Sequence, residues 1–126
     1  MLHKFFALLL FASRHAMAAT PAELLSGYTA QAGQPANAVK GEAFFKASHG
    51  QEWQCTSCHG KSPMTGGRHA STDKAIEPLA PAANAKRFTD SAKVEKWFRR
   101  NCKDVLAREC SAAEKADVLA WLISLR

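Results

Sequence analysis

From His49 to about Thr89 the chain runs for about forty residues rich in Gly, Pro, Ser and Thr, with no sustained apolar periodicity. Connections inside a compact domain usually take about four to six residues, so this stretch is no ordinary loop. It cannot build a core from its own apolar residues and needs something else to organise it. The whole chain has 126 residues, 47% of them hydrophobic and 22% charged. That suffices for one domain, not two, and excludes wholesale disorder. Only 9% of residues are aromatic and β-branched residues are scarce, which argues against a β-sandwich or barrel. No apolar run reaches the roughly 18 residues of a membrane span.

The first residues read as an export signal. Lys4 gives a basic start, Phe5 to Ala12 a short apolar stretch, and Ala16-Met17-Ala18 a small-x-small cleavage site. The competing reading is a buried N-terminal helix, which an apolar stretch ending in Arg14 and His15 suits less well. The expected organisation is therefore a signal peptide over 1–18 and one domain over 19–126. Removing Lys4 and Arg14 with the leader reduces the net charge from +6 to +4. That surplus is mild and dispersed, and no basic stripe interleaved with aromatics points to nucleic acid. Export also puts the four cysteines where disulfides persist.

Around the aperiodic stretch the patterns are helical. Thr20-Pro21-Ala22-Glu23 is a capping box with proline at the first helical position, opening a helix through Leu24, Leu25 and Tyr28 that ends near Gly33. Asn37 caps a second helix with Val39, Phe44 and Phe45. Gly41 lies on the Phe45 face of that helix, where a glycine predicts close approach of another backbone. Thr89 or Asp90 opens a third helix with Val94, Trp97, Phe98 and Asn101 on one stripe. Ser111-Ala112-Ala113-Glu114 is a second capping box, before Val118, Leu119, Trp121, Leu122 and Leu125. With no hairpin signal and no alternating strand, the expected fold class is all-α.

Inside the aperiodic stretch stands Cys55-Thr56-Ser57-Cys58-His59, the C-x-x-C-H signature of c-type haem attachment. Two thiols three positions apart can each add to one porphyrin vinyl group. The next imidazole is then delivered to the iron from the same side. A thioredoxin-like dithiol would need a βαβ setting and has no use for the histidine. A zinc site would need a matching second pair, and Cys102 and Cys110 are eight positions apart. A structural disulfide remains a lesser alternative. One motif means one haem, whose apolar surface a Gly/Pro-rich segment can wrap. The outer helices would cross beside it, and this architecture resembles a class I cytochrome c.

The residue on the far side of the iron is less obvious. Met64, the one methionine after the leader, is only five residues past His59. His69 is ten past it and within reach of an extended chain, but Gly66, Gly67 and Arg68 suggest a solvated loop. His49 precedes the motif and reads as a surface residue. Asn101 ends an apolar helical stripe, as a helix C-cap would. It also stands beside Cys102, which can pair with Cys110 and pin the backbone. Asn84 is the rival asparagine and lacks a neighbouring cysteine. C-cap and ligand both stand as readings of Asn101 at this point.

The sequence resembles the sphaeroides haem protein family, exported monohaem cytochromes c with an asparagine as distal ligand. The marks are Cys55-Thr56-Ser57-Cys58-His59, then Ile76-Glu77-Pro78-Leu79-Ala80-Pro81, then Arg87-Phe88-Thr89-Asp90. The densest is Lys93-Val94-Glu95-Lys96-Trp97-Phe98-Arg99-Arg100-Asn101-Cys102, followed by Cys110. The likeness spans nearly the whole mature chain. It implies covalent haem c on Cys55 and Cys58, His59 as proximal and Asn101 as distal iron ligand, and a Cys102–Cys110 disulfide. It further implies a periplasmic electron-transfer protein whose reduced iron binds O2, NO or CO. The implied partners are a dihaem cytochrome c donor and a membrane cytochrome b. A haem enzyme reducing oxygen or removing nitric oxide or peroxide is a second class of reading, and a gas-binding module without turnover a third. No distal histidine or catalytic acid is evident, which weighs against efficient peroxidase chemistry.

Overall fold

The computed structural model describes residues 18–126; the leader expected over 1–18 falls, as far as Met17, outside the described residues. Helix α1 (Pro21–Ala32) starts at the Thr20/Glu23 box and stops at Gly33, whose φ of 67° is left-handed. Helix α2 (Ala38–Lys46) is capped by the Asn37 side chain. A short α3 (Cys55–His59) follows, then two two-residue strands, β1 (Gly67–Arg68) and β2 (Ala75–Ile76). Helix α4 (Ser91–Leu106) is capped by Asp90 rather than Thr89, and α5 (Ala112–Ser124) opens at the Ser111/Glu114 box. Among the described residues the protein is thus all-α apart from one antiparallel pair that joins Gly67 to Ile76 and Arg68 to Ala75.

The core is organised by α5, which supplies Ala116, Val118, Leu119, Trp121 and Leu122 to the buried cluster. Burying a leucine such as Leu119 or Leu122 stabilises by about 1.5–3 kcal/mol. Around them close Tyr28 from α1, Phe45 from α2, Val94 from α4, and Phe88. Helices α2 and α5 cross at Gly41, where a Cβ would fall 1.9 Å from the Asp117 carbonyl oxygen. The expected close approach is therefore real. The Asp117 side chain returns across the same crossing, its Oδ1 accepting from the Asn37 backbone N–H at 2.6 Å.

Two expectations need correction. The third patterned helix does not end at Asn101: α4 continues to Leu106 and closes at Ala107 in a left-handed conformation. Its inward stripe is Val94, Phe98, Cys102 and Val105, while Trp97, 43% exposed, and Asn101 lie on its exposed flank. The stripe of the sixteen-residue helix turns because two apolar residues, Cys102 and Val105, lie beyond Asn101. The β1–β2 pair was also unforeseen, since two residues per strand are too few to show alternation.

Candidate haem-attachment site

Helix α3 places Cys55 and Cys58 one turn apart on one face, with His59 one turn on from Cys55. Its start is fixed by two bonds: Gln54 N–H donates to Ser57 Oγ at 3.0 Å, and Ser57 N–H to the Gln54 carbonyl at 2.9 Å. Gly60, at φ 72°, turns the chain away immediately after His59. Cys55 and Cys58 are free thiols, not a disulfide. Cys55 packs against the core and burial pushes its thiol up to about 11. Cys58 Sγ accepts a hydrogen bond from the Ala70 N–H at 3.3 Å.

His59 is half-buried, 6.0 Å ring to ring from Phe45, which in turn packs 5.1 Å from Trp121. Burial, reinforced by the Arg87 guanidinium, lowers its imidazole to about 4. The ring is therefore neutral at neutral pH and keeps a nitrogen lone pair for a metal. Two thiols on one helical face beside a neutral imidazole suit covalent haem c, with its iron, by the chemistry of the donor set. Among the described residues no group of three or more His, Cys, Asp or Glu converges as a metal cluster. Cys102 and Cys110 are bonded to each other, Cα to Cα 5.6 Å, which removes them from any four-cysteine zinc site.

The aperiodic stretch packs onto α3. A Cβ on Gly67 would lie 1.9 Å from the Cys58 carbonyl oxygen, so β1 rests directly on the α3 backbone. The Leu79 and Ala80 N–H groups both donate to the Pro63 carbonyl at 3.0 Å, and Ala80 is fully buried. Arg87 clamps this loop, donating from Nε to the Pro78 carbonyl at 2.9 Å and from Nη2 to the Glu77 carbonyl at 2.8 Å. Nothing in its local sequence announced that role.

The other candidates fall into place around it. Met64 sits in a turn closed by the Thr65 N–H to Ser62 O bond. His69 follows β1 on the Cys58 side, and its Nδ1 accepts from the Ser71 and Thr72 N–H groups at 3.3 Å. His49 is half-buried rather than superficial, its ring tilted against Phe44 with centroids 4.5 Å apart and its Nε2 on the Phe44 carbonyl at 2.9 Å. The Asn84 amide is engaged within its own loop, by Glu77 and Pro78 on Nδ2 and by the Lys86 N–H on Oδ1.

Asn101 lies in α4 with its side chain exposed, five residues before the helix ends, so it is not the C-cap. Buried Cys102 beside it is tied to Cys110, just ahead of the α5 cap. Six residues earlier on α4, Glu95 accepts a short hydrogen bond from the Tyr28 hydroxyl and pairs with Lys115 at 3.2 Å. The Lys115 ammonium lies 5.4 Å over the Tyr28 ring and 5.8 Å over Phe98. This cluster locks α1, α4 and α5 together. It was not foreseen, because its members are far apart in sequence.

The family described as "Domain of unknown function (DUF1924)" matches residues 31–122. The chain is 49% identical over 107 residues to the cytochrome c-type protein SHP of Cereibacter sphaeroides, covering 82% of each. It is 46% identical over 80 residues to cytochrome c'' of Methylophilus methylotrophus, covering 64% of this chain and 56% of that protein. In three dimensions it matches the structure of oxidized SHP, described as an oxygen binding cytochrome c, with a TM-score of 0.81 and 47% identity over 86% of this chain and 99% of that one. The solution structure of cytochrome c'', described in terms of haem-ligand detachment, matches with a TM-score of 0.73 and 35% identity, over 83% and 93%. The free Cys55 and Cys58 thiols beside His59, on a helical frame shared with these cytochromes, lead to one assignment: the chain belongs to the sphaeroides haem protein family of c-type cytochromes, whose cofactor is covalently bound haem c.

Proposed function

We propose that the protein is an exported electron-transfer cytochrome in which Cys55 and Cys58 carry the thioethers, His59 is the proximal ligand and Asn101 is a labile distal ligand. Haem c supplies the one-electron couple and, when ferrous, an affinity for oxygen, nitric oxide and carbon monoxide. The observation that carries the reading is Asn101 itself. It stands inside α4, where it caps nothing and costs helix propensity, and the backbone beside it is held by a disulfide. A task for the amide accounts for its presence there.

The Asn101 side-chain oxygen is a hard, neutral, weak-field donor. It favours ferric iron, whose higher charge attracts oxygen dipoles, and holds the softer ferrous iron poorly. Asn101 would therefore hold the iron in the oxidised protein and not in the reduced one, which would let a diatomic bind beside Trp97. Support comes from the relatives, one described as oxygen binding and one through haem-ligand detachment. Family association makes a dihaem cytochrome c the donor and a membrane cytochrome b a further partner, in the periplasm. No helix among the described residues is long and apolar enough to cross a membrane.

Absorption spectra of both oxidation states, with and without carbon monoxide, test the assignment. The ferric protein should be high-spin, and the ferrous Soret band should move with carbon monoxide. Asn101→Ala should open the ferric site to added anions while the haem stays with the polypeptide in acid–acetone. A six-coordinate, low-spin ferrous spectrum unmoved by carbon monoxide refutes the ligand assignment and the gas binding built on it.

A further inference from the structure

Setting aside Lys4 and Arg14, the chain has four more cations than acids, and most of that surplus sits on α4. The helix carries Lys93, Lys96, Arg99, Arg100 and Lys103 against Glu95 and Asp104. A charge that is dispersed along the sequence is thus gathered on one element. Val94, Phe98, Cys102 and Val105 turn toward the core, and Lys96, Arg100 and Lys103, spaced i, i+4 and i+7, lie exposed on the opposite face. Lys93, also exposed, extends the row by a turn. Glu95 is drawn inward by Tyr28 and Lys115, and Arg99 is taken by Glu109 at 3.9 Å. Asp104, one turn from Arg100, is the one acid at the edge of the row. Among the described residues no ion pair joins Lys93, Lys96, Arg100 or Lys103 to an opposite charge. Two of these cations are also steadied: the Lys96 ammonium lies 5.8 Å and the Arg100 guanidinium 5.5 Å from the centre of the Trp97 ring. Side chains already resting on an aromatic face lose less freedom when they meet a partner.

We propose that the solvent-facing side of α4 is the docking surface for the protein that passes electrons to this cytochrome, and that this partner meets it with an acidic patch. A row of unpaired cations on a rigid helix steers an acidic surface toward it and fixes its register. A membrane fits less well, because an interfacial helix needs a free apolar face, and that of α4 is spent on the core. The haem-attachment side offers no such row: Arg68 faces Asp73 at 3.6 Å, while Lys61 follows α3 and Lys74 precedes β2. Docked on α4, the partner lies against the helix that carries Asn101. It is oxidised by one electron, the ferric iron is reduced by one, and no bond forms or breaks.

The inference rests on the electron-transfer part of the proposed function and not on Asn101 as ligand. Stopped-flow reduction of the ferric holoprotein by reduced flavodoxin, a small acidic redox protein, tests it in the absence of oxygen. The second-order rate should fall about tenfold or more between about 0.01 and 0.5 M ionic strength, as screening shortens the reach of the row. K96Q/R100Q/K103Q should be about tenfold slower at low salt and match wild type at high salt. K40Q/K61Q/K74Q, which removes as many exposed cations elsewhere, should stay within about threefold of wild type. Equal slowing of both variants would assign the effect to net charge and overturn the inference, as would an unslowed α4 variant. Binding to phosphatidylserine vesicles together with salt-independent reduction would assign the row to lipid and also overturn it. Where the α4 variant loses the native ferric spectrum, carbodiimide cross-linking of wild type to flavodoxin decides. Amides at Lys96 or Lys103 uphold the surface, and their absence overturns it. A voltammogram without a reversible one-electron wave would instead sink the electron-transfer reading, with the cross-links still reporting the surface.

Discussion

Replacing Gly41 by Ala adds one methyl group where α2 crosses α5, and the structure fixes what it meets. The Cβ would lie 1.9 Å from the Asp117 carbonyl oxygen and 2.3 Å from its carbon, both backbone atoms that no side-chain rotation can clear. Ordinary contact needs about 3.5 Å, so the helices must part by about 1.5 Å. Parting stretches the Asn37–Asp117 hydrogen bond of 2.6 Å and loosens Phe45 from Trp121, at 5.1 Å. Overpacking of this kind costs about 1–3 kcal/mol, and a weakened aromatic pair about 0.5–1.5 kcal/mol more. Helix propensity returns about 1 kcal/mol when alanine replaces glycine. The net loss is about 2 kcal/mol, and Tm should fall by about 8–16 °C. Thermal melts of the ferric holoprotein read it by far-ultraviolet circular dichroism. Val39→Ala, on the same helix at a site 77% exposed, is the control and should melt at or slightly above wild type. A Gly41→Ala protein as stable as wild type would mean that propensity wins and the crossing is not tight.

Two further outcomes follow from the disulfide and from the Glu95 cluster. Replacing Cys102 and Cys110 together by Ala should cost about 2 kcal/mol in urea denaturation, a small value because the closed loop is short; equal midpoints with and without the bridge would contradict this. Burial pushes the Glu95 carboxyl up, but the Tyr28 hydroxyl, Lys115 and Arg99 together hold it below the usual carboxylate range. Its contribution is therefore complete above the unfolded carboxylate pKa of about 4.3 and is lost as pH falls through the lower folded value. Glu95→Gln should cost up to about 1 kcal/mol at pH 7 and flatten that acid-side decline, seen as denaturation midpoints that converge as pH falls below the unfolded carboxylate range; parallel pH profiles would sink the idea.

What the chain reveals before its structure depends on the range of the interaction. Capping boxes span four residues, so Thr20/Glu23 and Ser111/Glu114 are legible as written, and Gly41 betrays a crossing because glycine is expensive in a helix. The C-x-x-C-H pattern is equally local. The α4 stripe was displaced because Asn101 interrupts the apolar pattern, and a polar residue inside a helix looks like its end. Arg87 and the Glu95–Lys115 pair stayed hidden because their partners are assigned by tertiary packing. No spacing rule links Arg87 to the Glu77 and Pro78 carbonyls, or Tyr28 to a carboxylate 67 positions away.

Helix α5 joins these separate devices into one. Lys115 reaches Glu95 on α4, the Asp117 carbonyl seats Gly41 of α2, and Trp121 packs on Phe45, whose ring faces His59. The two sides of the proposed iron site are thus referenced to a single rigid helix, α4 through the first contact and α3 through the others. A weak distal donor needs such a reference, because an amide oxygen gains too little from the metal to pull a misplaced helix into position. The disulfide adds a tie past Asn101: it joins the last turns of α4 to the cap of α5, so the helix carrying the asparagine is held to α5 on both sides of it. On that account the proposed detachment on reduction would be a motion of the Asn101 side chain, while the α4 backbone stays where α5 holds it.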